Sequence, residues 1–164
     1  MKKIIFILLA LCSLQLVAHS QFNICKTYLF IQSNFAGTIA VDENGKEITS
    51  GVTSSVFVYI KAKNGEIPKF ETAIINGINY NVSMLPCTDG KAIVGKTDED
   101  GKPIILKASN GCKLWKLTFE PETMPAIKSH KAPLTIALKA TWKERKITYT
   151  ISKVPILLQA EERP

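Results

Sequence analysis

The chain has 164 residues, 46 % of them hydrophobic and 21 % charged, with a formal charge of +7. That is too much apolar material for a disordered chain and enough for one packed domain. The lysines stand mostly singly between apolar residues, as on a solvated sheet face, whereas nucleic-acid binding calls for a clustered basic stripe with aromatics beside it.

Met1, Lys2 and Lys3 make a basic start, residues 4–11 are wholly apolar, and Ala18 and Ser20 are the small residues that a signal peptidase reads before Gln21. This pattern predicts a secretory leader of bacterial type over residues 1–20 and one domain over residues 21–164. The apolar run is shorter than the roughly 20 residues of a membrane span, so no span is expected after cleavage. The bulky Leu11 before Cys12 argues against lipoprotein processing. Lys2 and Lys3 leave with the leader, which lowers the charge to +5. The expected location is the periplasm, the cell surface or the medium.

In chain order, residues 26–32 and 38–41 read as short strands, closed by the turn residues Asp42-Glu43-Asn44-Gly45. Residues 52–62 set Val56, Val58, Ile60 and Ala62 on one face and leave Phe57 and Tyr59 on the other. Such a strand is either covered on both sides or presents its aromatics to a partner. Residues 70–75 and 78–85 flank Asn76-Gly77, a strong short-range hairpin signal. Residues 92–96 and 103–108 form another hairpin around Asp98-Glu99-Asp100-Gly101. Residues 112–120 follow, with Trp115, Leu117 and Phe119 on one side.

Pro121, Pro125 and Pro133 predict a long loop. The clearest hairpin comes next. Leu134, Ile136, Leu138, Ala140 and Trp142 recur at period two, and Ile147, Tyr149 and Ile151 repeat the rhythm after the turn. Phase with Leu138 and Ala140 predicts that Trp142 is core. A last edge strand covers residues 154–158. No stretch has helical periodicity over three turns, so the chain is read as all-β. The expected architecture is a two-layer antiparallel β-sandwich of immunoglobulin-like character with eight or nine short strands, the alternative being a small β-barrel.

Three cysteines remain after cleavage. Export favours a disulfide, and Cys87 and Cys112, each at a strand edge beside turn residues, are the expected pair, leaving the role of Cys25 open. A zinc site is not expected, because no C-x-x-C stands in the sequence and His130 is the sole histidine outside the leader. The acidic start of a calcium loop at residues 98–101 breaks off at Lys102 and Pro103 and is read as a hairpin turn. His130, in Ser129-His130-Lys131, has no nucleophile motif to serve, and Glu120 and Glu122 read as solvated loop charges.

Phe57 and Tyr59, out of phase with their strand's inward set, are the candidate partner surface. No cofactor is expected. The favoured function is a non-catalytic binding or protein-interaction module whose partner is a protein or a glycan. A hydrolase with a site built from loops, or a secreted enzyme inhibitor, is the alternative.

Overall fold

A computed structural model describes residues 23–36, 43–45, 53–63, 67–97, 99–109, 111–125, 127 and 131–163. The expected leader, Asp98 and His130 lie outside the described residues. The strands are β1 (Ile24–Ala36), β2 (Thr53–Lys63), β3 (Phe70–Ile75), β4 (Ile78–Pro86), β5 (Lys91–Lys96), β6 (Pro103–Lys107), β7 (Cys112–Glu120), β8 (Thr123–Pro125), β9 (Leu134–Trp142), β10 (Arg145–Lys153) and β11 (Ile156–Arg163). A 3-10 turn, Thr88–Gly90, precedes β5. No helix among the described residues is long and apolar enough to cross a membrane.

The chain is all-β, but it is not divided into two comparable sheets. Nine strands belong to one sheet that curls into a half-barrel, in the order β10-β9-β3-β4-β7-β2-β1-β11, with β8 pairing the free stretch of β2 beyond β7. The hairpin β5–β6 is a sheet of its own. The curl follows from the connection between the last two strands. β10 and β11 are the opposite edges of the sheet, yet only Val154 and Pro155 separate them in sequence. Two residues bring Lys153 and Ile156 within about 11 Å, so the edges must bend toward each other at that corner. Lys153 reaches over the gap and donates a 2.8 Å hydrogen bond from Nζ to the Thr27 carbonyl of β1.

The concave face encloses the main core. Leu29, Ile31, Val58, Ile60, Phe70, Ile75, Leu117, Phe119, Ile136 and Leu138 are all buried there, with Met124 and Ile127 from the proline-rich segment packed among them. Two hairpins carry the expected alternation. In β9–β10 the pairs Ile136–Ile151, Leu138–Tyr149 and Ala140–Ile147 lie opposite one another, turned by Lys143 and Glu144, which both take positive φ. In β3–β4 the turn is Asn76-Gly77, also with positive φ at both residues.

Trp142 departs from the expectation. Its phase is that of Leu138 and Ala140, but it is the last residue of β9 and sits at the rim, half-buried, beside Lys143, Arg145 and Ile147. The Lys143 ammonium lies 5.8 Å from its ring centroid. Alternation settles which way a side chain points; it says nothing of how far the opposing layer extends over it. Phe70, fully enclosed, is the aromatic anchor instead. Phe70→Ala is therefore expected to cost about 3–5 kcal/mol of stability, as for other buried large-to-small changes. Trp142→Ala should cost less than half of that. Urea unfolding of the two variants beside the parent protein measures both.

Candidate functional site

The convex side of the sheet carries a second apolar patch, because β1 and β2 are apolar at successive positions. Phe30 of β1 and Tyr59 of β2 meet edge to face at 6.0 Å and 80°, and Leu114 and Leu158 flank them. β4 and β7 are hydrogen-bonded neighbours, so the chain between them leaves the sheet and returns beside its own departure point. Its β5–β6 hairpin uses that excursion to fold back over the convex patch, where Leu106 is buried and Ala92, Val94, Ile104 and Ala108 pack. The register shift between Ile93 and Gly95, with Gly95 at φ 152°, bends β5 toward Leu158. Thr97 then bridges to Leu158 of β11.

The cover is partial, and at its margin a cleft of about 370 Å³ remains, a size suited to a small ligand. Gln32, Ser55, Phe57, Lys116, Thr118 and Glu122 line it from the sheet and the β7–β8 corner, and Val94 and Gly95 wall it from β5. Phe57 is half-buried, with the Lys116 ammonium 5.7 Å from its ring centroid. At the β1 end Gln32 donates from Nε2 to the Gln159 carbonyl at 2.9 Å, which ties the cleft to β11. Behind Ser55, Asn34 is buried and donates from Nδ2 to the Ser55 hydroxyl oxygen at 2.8 Å; its own Oδ1 has no partner among the described residues.

Phe57 and Tyr59 do point away from the main core, as their phase predicts, but they divide in role. Phe57 fronts the cleft. Tyr59 is only 3 % exposed beneath the hairpin, and burial, with Cys87 nearby, pushes its hydroxyl pKa upward. The two aromatics therefore do not form one open surface. The remaining cleft residues escaped the sequence reading because Gln32, Ser55, Lys116 and Thr118 look like ordinary solvent-facing strand residues, and Glu122 like a loop charge. Only the register of β1, β2 and β7 brings them together.

The expected Cys87–Cys112 disulfide is corrected by the same register. Among the described residues Cys25, Cys87 and Cys112 are free thiols. The Cys87 amide donates to the Leu114 carbonyl at 2.8 Å, so Cys87 lies level with Leu114 and two residues past Cys112. It is part of the packing around Tyr59 and Leu114, and burial raises its pKa although Lys116 pulls the other way. The Sγ of Cys112 instead lies 3.7 Å from that of Cys25.

Residues 99–101 sit at the tip of the β5–β6 hairpin, and the Asp100 carboxylate is engaged locally. It accepts from the Thr97 hydroxyl and from the Lys102 amide at 3.1 Å, and pairs with the Lys102 ammonium at 2.8 Å. These contacts, the Lys102 side chain foremost, hold its pKa below the usual aspartate value.

Burial of the Tyr59 ring predicts that Tyr59→Ala costs about 3–5 kcal/mol, whereas Phe57→Ala costs about 1–2 kcal/mol. Tyr59→Phe separates ring from hydroxyl. A hydroxyl with a raised pKa in the folded state stabilises fully below its unfolded value of 10.0, and that contribution is lost as pH rises through the folded pKa. Tyr59→Phe should thus retain stability near neutrality and lose less of it above pH 10 than the parent, as thermal melts across that range measure. Neither a protein-family model, nor a curated protein, nor a solved structure matches this chain.

Proposed function

We propose that the chain is an exported, non-catalytic binding module and that the cleft at Phe57 is its recognition site. The observation that carries this reading is the composition of the cleft. An aromatic ring, an ammonium, a carboxylate, an amide and two hydroxyls line one concavity between the sheet and the hairpin laid over it. A ring flanked by groups that donate and accept hydrogen bonds suits a short glycan or an extended peptide segment of a protein partner. The ring stacks on an apolar face, and the polar groups set orientation.

Export is the second half of the proposal and rests on the leader-like sequence of residues 1–20 and on Ala18 and Ser20 before Gln21. Periplasm, cell surface and medium are all compatible with it. Of the two-layer sandwich expected from the sequence, the closest counterpart is the β5–β6 hairpin, a small second layer laid on the convex side of the curled sheet.

Two measurements test these statements. N-terminal sequencing of protein recovered outside the cytoplasm should begin at Gln21; a product that retains residues 14–20 would refute the processing. Binding screens against glycan and peptide libraries should return ligands whose affinity falls about tenfold or more in Phe57→Ser and in Lys116→Ala, the scale on which anchor residues of an interface act. Equal affinity in parent and Phe57→Ser protein would place recognition elsewhere. Thermal melts of the same variants separate lost contact from lost fold.

A further inference from the structure

Cys25 and Cys112 belong to β1 and β7, the two neighbours of β2. On one side Lys63, the last residue of β2, pairs with Cys112. On the other the ladder steps from Ile24 opposite Ala62 to Lys26 opposite Lys61, which leaves Cys25 as the extra residue of a bulge. A bulge re-aims its side chain, and here it turns the thiol toward the end of β2. The two sulfurs meet at 3.7 Å, a contact distance for unbonded sulfur. Cys25 is exposed and Cys112 half-buried, so a reagent in solution reaches both.

We propose that Cys25 and Cys112 form a dithiol pair that closes to a disulfide by exchange with a small disulfide or the disulfide of an oxidoreductase, with Cys112 as the attacking thiol. In the first step the Cys112 thiolate attacks one sulfur of glutathione disulfide. The Cys112–glutathione S–S bond forms, the glutathione S–S bond breaks, and one glutathione thiolate leaves and takes up a proton. In the second step the Cys25 thiol gives up its proton and its sulfur attacks Cys112, expelling the second glutathione. Two protein thiols and one glutathione disulfide thus yield one protein disulfide and two glutathione thiols. The protein loses two electrons, and the glutathione gains them.

The surroundings assign the roles. Hydrogen bonding from Ser109, then from Cys25, and the nearby charges of Lys61 and Lys63 hold the Cys112 thiol below its ordinary pKa. Desolvation and the neighbouring Cys112 raise that of Cys25. Closing the bond asks the sulfurs to approach by about 1.7 Å, since a disulfide is near 2.05 Å. That movement falls on a bulge near the start of β1 and on the first residue of β7, which follows Gly111 at φ 75°. The bridge would strap β1 to β7 across the end of β2.

The pairing rests on geometry rather than on the proposed export or cleft, and its test supplies the oxidant, so it can fail while those proposals stand. Purified full-length protein incubated with glutathione disulfide should lose about 2 Da by intact mass. Peptide mapping without reductant should link the peptides of Cys25 and Cys112. Cys87→Ser should give the same link. Cys25→Ser, at an exposed position, should stop at a glutathione adduct on Cys112. Oxidation should raise the Tm by about 5–10 °C, reversed by reductant, because the bridge closes a long loop. A link that includes Cys87, or Cys25 and Cys112 both still alkylatable after oxidation, would overturn the proposal.

Discussion

The two residues between β10 and β11 constrain this fold more than any single contact. A sheet in the order β10-β9-β3-β4-β7-β2-β1-β11 could in principle lie open, with its edge strands seven inter-strand spacings apart. Neighbouring strands stand about 4.8 Å apart, so a flat sheet of that width would hold its edges more than 30 Å from each other. Val154 and Pro155 reach about a third of that distance. The sheet has to curl, its concave face becomes a closed apolar interior, and Ile151 of β10 joins the same core as Leu29 and Ile31 of β1. The price of the curl is a parallel pairing of β11 with β1 at the far edge, while the other ladders of the sheet are antiparallel.

Curling in one direction gives the convex side a different problem. β1 and β2 are too apolar to leave that side wet: Phe30 and Tyr59 would lie open to solvent if nothing covered them. The β5–β6 hairpin supplies the cover. Among the described residues it is joined to the large sheet by the bridge at Thr97 and by apolar packing rather than by a ladder of its own. A cover held mainly by side chains ends where its side chains end. Beyond Val94 and Gly95 the convex face is open again, and the cleft at Phe57 is that margin. Cleft and cover therefore arise from the same insertion between β4 and β7.

Much of this was readable in the residues, and the failures share one cause. Period-two alternation placed Val56, Val58 and Ile60 inward and Phe57 and Tyr59 outward, and the structure agrees on every one of them. The Asn76-Gly77 turn, the β5–β6 hairpin with residues 99–101 at its tip and the long hairpin ending at Ile151 also stand where local patterns put them. What alternation cannot supply is coverage. Phase alone puts Tyr59 on a surface, because nothing local announces that a hairpin some 40 residues later lies over it. Phase alone puts Trp142 in the core, because nothing local announces that the opposing layer stops short of it. A continuous apolar run such as that of β1 and β2 is itself the sequence's sign of burial on both faces. It points to a second layer without saying which segment forms it.

The cysteines show the same limit at finer grain. Strand-edge position and nearby turn residues are properties that Cys87 and Cys112 share, yet proximity depends on register across the sheet. Along β4 and β7 a displacement of two residues, from Cys112 to the level of Leu114, is about 7 Å, more than a disulfide spans between Cα atoms. A single extra residue in the other direction has the opposite effect. The bulge at Cys25 breaks the pairing of β1 with β2 for one position and sends a thiol over the end of the intervening strand. A one-residue irregularity, invisible to composition and to periodicity, thus decides which two of the three described thiols meet. Register, through ladders and bulges, also decides which polar residues of β1, β2 and β7 share the cleft at Phe57.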